Sequence, residues 1–421
     1  MKKRSFFAIV SACSLSFFLL PSLSAQQLSS AQGANRRTAI RYLQLAKQYA
    51  SEKAWKDAQT QTEIGLAYDD SIADLWYIYA VSLSMQGRSR AKVLPLVVRS
   101  LNDGEWVDYN RDGARILYAD ILCNTGKQAE ALSVLDAEPF LYSADAEFIR
   151  AKAYYTMPDG KGGRDPLYIQ KAREKIDAAR RIYPLDARFA RLFFQYEYAE
   201  NHDLTALPPL VRKLADAFIL QLSHYQEADA ELELYAAVFA EGKKKTRMLN
   251  SFKARELKAP LYAEVALKAG LISEDEALDA FTAFADAGID RSVLESFVPL
   301  ITGKESRRFL ADYLTAFDGT VVSDTDGDLQ PNLTVTYSRG RPLQIAYDGD
   351  QDGENDWTVE CDFGVPETLH LTDGALDVLY TSWPWVQKAL YQRDDDKPAL
   401  EFTLVGETLA WSPFTMGVLP A

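Results

Sequence analysis

The sequence is poor in the residues on which most metal centres and many active sites depend. Its 421 residues include only three histidines and three cysteines. His202, His224 and His370 are scattered and form no motif with the cysteines, so neither a zinc site nor a histidine-based triad is predicted. Phosphate loops, dinucleotide fingerprints and nucleophile elbows are absent too. We therefore predict that the protein is not an enzyme.

Two stretches that resemble catalytic elements have simpler interpretations. "PDGKGGRDP", residues 158–166, is rich in glycine and basic residues, but no strand precedes it, and it is predicted to be a long turn between helices. Glu274 and Glu276 lie close together on a segment rich in other charges, and both are predicted to be solvated. Neither stretch therefore argues for catalysis.

Long apolar runs are also missing, except for an interrupted one at the N-terminus. "MKKRSFFAIVSACSLSFFLLPSLSAQQ" has three early basic residues, an apolar stretch broken by serines, and small residues near Ala25. Residues 1–25 are therefore predicted to be a signal peptide, which places the protein in the periplasm or at the outer envelope of a bacterium. The alternative is a lipid anchor at Cys13, because "VSAC" resembles a lipoprotein box. No later segment is predicted to span a membrane.

Basic residues are scarce in the last quarter of the chain. The formal net charge is −14, and the 19 acidic and 5 basic residues from Phe317 onward account for all of it. Nucleic acid and anionic membrane surfaces are disfavoured as partners, since they require a basic surface. Cys123 and Cys361 lie in different predicted domains and are interpreted as isolated buried thiols rather than a disulfide.

Helices dominate the first three quarters. Between Arg36 and Ala316 apolar residues recur at spacings of three and four, which predicts one helix after another. The pattern repeats within residues 26–200: Ala46 and Ala80 stand 34 residues apart. The other matching positions are Tyr49, Ala58, Trp76, Leu83, Gly87, Ala119, Leu122, Gly126, Ala131, Leu135, Ala172, Ala179 and Pro184.

This arrangement of small, bulky and turn residues resembles the tetratricopeptide repeat. The resemblance implies helical hairpins that stack into a superhelical solenoid, with a groove that binds a peptide or a partner protein and has no chemistry of its own. Residues 201–316 fit the pattern poorly and are predicted to form further helical hairpins. Aromatic residues that would line such a groove are more simply explained as core: Tyr42, Tyr49, Trp76, Tyr77 and Tyr79.

Residues 317–421 have the features of a small, mostly antiparallel β domain. "LTVTYSRGRPLQIAY" predicts a hairpin that turns at Ser338 to Gly340, and "WTVECDF", "LHLTDGALDVLY" and "ALEFTLVGETLAW" predict further strands. Trp383 and Trp385 are predicted to belong to the core of this domain. The predicted fold class is therefore α + β multidomain, with an all-α solenoid followed by an acidic β domain.

The β domain contains an acidic stretch twice. A shift of 24 residues takes Asp324 to Asp348, Asp326 to Asp350, Asp328 to Asp352 and Asn332 to Asp356. The spacing corresponds to positions one, three, five and nine of an EF-hand-like loop, in which oxygen ligands converge on a calcium ion. Position six is Gly353 in the second copy, whereas the first copy has Gly327 at position four.

These eight residues are therefore the predicted metal ligands, and a structural Ca²⁺ is the predicted cofactor. Position twelve holds Val335 or Val359 instead of an acid, so the affinity should be weak, as in extracellular modules. The alternative is a pair of solvated turns in which aspartates accept hydrogen bonds from the backbone. A third charge run, "RDDDKP" at 393–398, is interpreted as a solvated turn.

Together these features predict a non-catalytic interaction scaffold of the cell envelope. The predicted partner is a protein or peptide in the repeat groove, and calcium would stabilise the β domain. In the alternative, the β domain binds or hydrolyses an envelope polysaccharide and the helices position it. The oligomeric state is left open by the sequence.

Overall fold

The computed structural model describes residues 20–417, except residues 162, 202–203, 205, 226–229, 258, 286–287, 373–374, 393–397, 406–407 and 412–413. Within these limits, side chains are described from residue 32 to residue 403. Cys13 and the "RDDDK" run lie outside the described residues, as does most of the predicted signal peptide. None of the described helices is long and apolar enough to cross a membrane.

Sixteen α-helices precede the main sheet in the described part of the chain. They are α1 Leu20–Ser51, α2 Trp55–Tyr68, α3 Ala73–Met85, α4 Arg90–Asn102, α5 Arg111–Asn124, α6 Gln128–Asp136, α7 Ala144–Tyr155, α8 Pro166–Ile182, α9 Ala187–Glu200, α10 Pro209–Gln221, α11 Ala230–Phe239, α12 Gly242–Ala254, α13 Tyr262–Lys268, α14 Glu274–Ala285, α15 Arg291–Phe297 and α16 Lys304–Thr315. The chain forms two compact units, Met1–Ile121 and Leu122–Ala421.

In the first unit, α1 packs on α2 and α3 packs on α4. The predicted small positions Ala46, Ala58 and Ala80 are completely buried, which lets the helices approach closely. Gly87 follows α3 with a φ of +70°, the left-handed conformation in which glycine commonly ends a helix. The helical hairpins inferred from the repeat pattern are thus confirmed here.

In the second unit, aromatic side chains fill the main helical core. Phe193 and Phe194 of α9 pack with Phe218 of α10 and Phe239 of α11, and all four are at most 1% exposed.

The stretch at 158–166 is a turn between α7 and α8, as predicted, in which Asp159 Oδ1 accepts hydrogen bonds from the backbone N–H groups of Lys161 and Gly163. Cys123 and Cys361 are both buried and are not joined by a disulfide, also as predicted.

The described strands form one sheet in which the spatial order follows the sequence. The strands are β1 Ile289–Asp290, β2 Gly319–Ser323, β3 Leu333–Ser338, β4 Arg341–Tyr347, β5 Trp357–Asp362, β6 Val365–Leu371, β7 Leu376–Ser382, β8 Trp385–Tyr391, β9 Leu400–Val405, β10 Thr408–Trp411 and β11 Phe414–Gly417. β1 pairs with β2 in parallel, and the other neighbours pair in antiparallel fashion. This confirms the predicted fold class of helical pairs followed by a mostly antiparallel sheet.

The meander has two different ends. The connections after β2, β4, β6 and β8 lie at one end of the strands, and the short turns after β3, β5 and β7 lie at the other. At the first short turn, the N–H group of Gly340 donates to the carbonyl oxygen of Phe317 at 2.8 Å. Gly340 has a φ of +70°, and a Cβ there would lie 2.3 Å from the carbonyl oxygen of Thr315, so glycine is required where the turn meets the end of α16.

Candidate functional site

The acidic stretches are the two longest connections described at the loop end of the sheet. Residues 324–332, called loop 1, join β2 to β3, and residues 348–356, called loop 2, join β4 to β5. In loop 1 the carboxylates of Asp324, Asp326 and Asp328 each offer an oxygen within 4.8 Å of the others. Asp348, Asp350 and Asp352 do the same in loop 2, so each loop has three converging oxygens.

The fourth predicted ligand of each loop has a different role. Asn332 Oδ1 accepts a hydrogen bond from the backbone N–H group of Thr325 at 2.9 Å. Asp356 Oδ2 accepts one from the N–H group of Gly349 at 2.6 Å. In each loop, the side chain at position nine is therefore hydrogen-bonded to the backbone at position two. It does not belong to the group of three carboxylates.

The aspartates also organise the backbone of the loops. Asp324 accepts hydrogen bonds from the N–H groups of Gly327 and Leu329, at 2.7 and 2.8 Å. Asp348 accepts them from the N–H groups of Asp352 and Gly353, at 3.1 and 2.9 Å. The solvated-turn interpretation therefore describes real hydrogen bonds, and these bonds also hold the carboxylates close together.

Both loops have the same backbone conformation although their glycines are at different positions. Position four has a positive φ in both loops, +81° at Gly327 and +55° at Gln351. Position six also has a positive φ in both, +66° at Leu329 and +87° at Gly353. Each loop therefore has one glycine and one strained residue, because a side chain disfavours the left-handed region.

Three aspartates of the two loops have a raised pKa. Burial, and then the neighbouring charge of Asp328, raises the pKa of Asp326 to about 6. Burial also raises the pKa of Asp348 and of Asp352. Negative charge is thus costly at these positions when no cation balances it. Position twelve does not contribute, since Val335 and Val359 are paired within the strands.

The loops are connected to each other and to the helices. Gln351 Nε2 of loop 2 donates to Asp326 Oδ2 of loop 1 at 3.3 Å. The hydroxyl of Tyr196, on α9, donates to the backbone carbonyl of Asp328 at 2.7 Å. The ring of Tyr196 in turn stacks on Tyr155 of the helical core. Loop 1 is therefore attached to the helical core, which its sequence did not indicate.

A second candidate site is a cleft in the first unit. It has a volume of about 260 Å³ and lies between the first helices of the first two repeats, α1 and α3. Three of its eight lining residues are aromatic, and the lining consists of Lys47, Ala50, Ser51, Trp55, Tyr77, Ile78, Val81 and Tyr109. We call it the repeat cleft.

The segment before α5 is held in place by a buried acid. Asp74 is fully buried, and its carboxylate accepts hydrogen bonds from the N–H groups of Val107, Asp108 and Tyr109 at 2.6–2.9 Å. Lys47 Nζ lies 5.1 Å from the ring centroid of Tyr109. Sequence reasoning named Tyr77 but missed the rest of the lining, because Trp55 and Tyr109 lie outside the repeat positions.

The five aromatic residues predicted as core are neither fully buried nor fully exposed. Tyr42, Tyr49, Trp76, Tyr77 and Tyr79 are all half-buried. Tyr77 lines the repeat cleft. Tyr79 donates from its hydroxyl to Glu63 at 2.9 Å, and Trp76 donates from its indole N–H to the backbone carbonyl of Asp70 at 2.7 Å. Helical spacing alone therefore did not distinguish aromatic residues of the core from those that line the cleft.

The prediction that Trp383 and Trp385 belong to the core is wrong. They are 52% and 68% exposed and lie at the turn end of the sheet, on either side of Pro384. Phe363, in the preceding short turn, is 75% exposed. The prediction failed because the sequence did not indicate strand β8. Trp385 therefore could not be placed at the exposed start of that strand.

Two further predictions change in the structure. Glu274 is not merely solvated: its carboxylate accepts hydrogen bonds from the Thr302 hydroxyl and from the N–H groups of Thr302 and Gly303, and these lower its pKa to about 2. Glu276 accepts from the N–H group of Ser273 at 2.9 Å, and Ser273 Oγ accepts from the N–H group of Glu276 in return. Both acids therefore organise helix ends.

The two histidines that the structure describes both lie at the surface. His224 is exposed. His370 Nδ1 is hydrogen-bonded to Asp377 across the β6–β7 pair, on the surface of the sheet. A single carboxylate partner does not make a metal site. His202 lies outside the described residues.

Comparison with known proteins gives relatives of limited similarity. No protein-family model matches the chain. A protein of Treponema pallidum (strain Nichols), described as uncharacterized, is 26% identical over 392 residues, which cover 77% of this chain and 47% of the relative. The chain thus spans about half the length of that protein.

Several solved helical-repeat structures are similar at low TM-scores. PilF of Pseudomonas aeruginosa is 16% identical with a TM-score of 0.37, covering 59% of this chain and 99% of PilF. Yeast Tom70 is 11% identical with a TM-score of 0.25, covering 65% and 68%. The tetratricopeptide-repeat domain of P58(IPK) is 13% identical with a TM-score of 0.21, covering 65% and 98%. The helical pairs of this chain are therefore assigned from its own contacts and buried alanines.

Proposed function

We propose that the protein is an exported, non-catalytic scaffold of the bacterial cell envelope whose repeat cleft binds a protein or peptide. The observation that carries this proposal is the aromatic lining of the cleft between α1 and α3. The basic and apolar N-terminal sequence supports export. The tetratricopeptide-like spacing of buried alanines supports a helical scaffold.

The size and chemistry of the cleft favour a side chain of a larger partner. About 260 Å³ is smaller than the roughly 300–1,000 Å³ of a typical small-molecule site. Tyr77 makes edge contacts with Trp106 and Tyr109, with ring centroids 6.0 and 5.7 Å apart. Rigid aromatic walls of this kind bind an apolar side chain at little entropic cost.

Affinity capture with cleft variants tests this proposal. Full-length wild-type protein, Tyr77→Ala and the matched variant Tyr79→Phe are immobilised and exposed to envelope extract. Tyr79 is two residues away and bonds to Glu63 instead of lining the cleft. We expect the wild type and Tyr79→Phe to retain the same protein, and Tyr77→Ala to lose at least about tenfold in affinity for it. Equal retention by all three would overturn the assignment of the cleft.

We further propose that calcium stabilises the β domain by binding in loops 1 and 2. The three converging carboxylates of each loop support a hard cation there, as does the raised pKa of Asp326, Asp348 and Asp352. The missing position-twelve acid implies dissociation constants of about 10⁻⁵ to 10⁻³ M. Binding only to the folded chain raises its free energy of unfolding, by about 2.7 kcal/mol at a hundredfold excess over the dissociation constant.

Thermal unfolding of the full chain tests the calcium proposal. We expect a higher Tm in millimolar calcium than in chelator, and a smaller shift for Asp350→Ala. Asp362→Asn, at the turn end of the sheet, is the matched control and should respond like the wild type. An unchanged Tm, or an equal rise with magnesium, would contradict a calcium-specific role.

One observation favours the alternative in which the β domain binds or hydrolyses a polysaccharide. Trp383, Trp385 and Phe363 are exposed at the turn end, where aromatic faces are accessible for stacking on sugar rings. Titration with purified envelope polysaccharide separates the two functions. Binding by the wild type that is lost in Trp385→Ala and kept in Tyr77→Ala would favour this alternative, and reducing-end release would identify hydrolysis.

A further inference from the structure

Strands β4–β8 have one apolar face and one polar face. Pairing across the strands places Ile345, Val359, Leu369, Val378 and Ala389 in one row. A second row on the same face, nearer the loops, contains Tyr347, Trp357, Leu371, Leu376 and Tyr391. Neither row contains a charged residue. We call these ten residues the apolar face.

The opposite side of the same strands is chemically different. Its two rows contain Gln344, Glu360, Thr368, Leu379 and Lys388, and Ala346, Thr358, His370, Asp377 and Leu390. Seven of these ten side chains are polar or charged, as expected of a face in contact with water. A sheet with this division normally packs its apolar face against a second layer.

The described helices cover only the beginning of the apolar side. The helical cluster that includes Phe297 and Phe317 reaches Val321 of β2 and Tyr337 of β3. Among the described residues of β4–β8, Cys361 is the one apolar side chain that is fully buried. All ten residues of the apolar face keep part of their surface exposed, and Tyr391 is 42% exposed.

We propose that the apolar face is the interface of a homodimer, in which the sheets of two copies of this chain pack face to face. Absence of charge throughout a buried face is typical of permanent homodimer interfaces, whereas transient interfaces have a composition closer to the ordinary surface. The rows also recur at the regular spacing of the strands. In a dimer with twofold symmetry, the same surface of both copies must be complementary to itself. Rows of side chains at one regular spacing meet this requirement, because the rows of one copy fit between those of the other.

The side of the sheet that carries the apolar face has the minimum dimensions for such an interface. Five strands spaced by about 4.8 Å, with about six residues of 3.3 Å each, give this whole side an area of about 24 by 20 Å, or on the order of 500 Å² per copy, and the two apolar rows occupy about two thirds of it. Two copies then bury on the order of 1,000 Å², which is the lower limit for a specific interface. The side chains of two such sheets interdigitate at a separation of about 10 Å.

The distribution of charge determines the orientation of the two copies. Loops 1 and 2 place the acidic residues at one end of the strands, and the turn end carries Arg339 and Arg341 beside Asp318 and Asp362. A twofold axis perpendicular to the strands puts the acidic end of each copy beside the nearly neutral turn end of the other. An axis along the strands would bring the acidic loops together, and their repulsion disfavours it.

Adjacent residues of β6 provide a matched test, because Leu369 belongs to the apolar face and Thr368 to the polar face. Sedimentation equilibrium of the full chain at micromolar concentration should give twice the mass of one chain for the wild type and for Thr368→Asp. Leu369→Asp should raise the dimer dissociation constant at least about a hundredfold, because dimerisation would bury an unpaired carboxylate. Circular dichroism checks that each variant is folded.

A dilution series on the wild type keeps the proposal testable if Leu369→Asp does not fold. As the mass falls to that of one chain, the fluorescence of a dye that binds apolar surface should rise in parallel. A wild-type chain that stays monomeric at all concentrations would overturn the proposal. So would a dimer that Thr368→Asp disrupts as strongly as Leu369→Asp, or a complex with another molecule on this face without self-association.

Discussion

Helices α6–α16 and strands β4–β8 bury their apolar side chains to different extents. Phe193, Phe194, Phe218 and Phe239 are shielded completely by the helices around them. Strands β4–β8 form a layer that has no described second layer against it, and among their described residues Cys361 is the one apolar side chain that is buried. The helical part is therefore stabilised by its own core, whereas the described part of β4–β8 buries few apolar side chains of its own.

Removal of one buried phenylalanine tests the helical side of this comparison. Phe193→Ala should lower the free energy of unfolding by about 3–5 kcal/mol, because it leaves a cavity among three other phenylalanines. Phe363→Ala, at an exposed turn, is the matched control and should cost less than about 0.5 kcal/mol. Urea unfolding followed by circular dichroism measures both. Similar losses would show that the two regions do not differ as described.

The next prediction compares the two acidic loops at position six. Gly353→Ala should cost about 1–2 kcal/mol, because alanine resists the left-handed conformation of this residue. Leu329→Gly, at the same position of loop 1, should stabilise the chain by up to about 1 kcal/mol as strain is relieved. Thermal unfolding of both variants in chelator checks the difference in sign. Equal effects would mean that the loops do not share one backbone conformation.

A weaker dependence on pH is expected from the sheet. Asp326 has a pKa raised from 3.8 to about 6 in the folded chain, so its contribution to stability is fully present below pH 3.8 and is lost as the pH rises through 6. Because the group is largely in contact with solvent, the loss should be on the order of 1 kcal/mol. In chelator, wild-type protein should gain stability between pH 7 and pH 5.

Two comparisons isolate the contribution of Asp326. Asp326→Asn should reduce this pH dependence, whereas Asp362→Asn should leave it unchanged. Saturating calcium should also reduce the gain on acidification, since calcium binds the ionised carboxylates and protons compete with it. Tm measured at several pH values gives the result. A wild-type stability that rises from pH 5 to pH 7 in chelator would contradict the assignment.

Patterns that repeat along the chain predicted the architecture well. Ala46, Ala58 and Ala80 are small where helices approach, and that requirement is visible as a fixed spacing. The hairpin at Ser338 to Gly340 was predictable because its strands alternate and its turn contains glycine. The two acidic stretches were identified as loops that lead into strands for the same reason.

Features that depend on distant contacts or on irregular pairing were not predictable. β8 was missed because its pairing with β7 is irregular. The register of this pair shifts near Tyr380 of β7, and such shifts interrupt the alternation that identifies a strand. The bond between Tyr196 and Asp328 joins residues 132 positions apart, and no local pattern marks it. Likewise, the strained Leu329 occupies the position where the motif expects glycine, so the common backbone of the two loops appears only in the structure.

The two ends of the meander give the sheet an electrostatic polarity. Strands of seven residues separate the acidic loops from the exposed aromatic turns by about 23 Å. Near a negatively charged surface, repulsion of the acidic loops exerts a torque on the sheet. This torque turns the acidic end away from the surface, so that Phe363, Trp383 and Trp385 approach the surface first. The fold therefore fixes a preferred direction of approach before any specific contact forms.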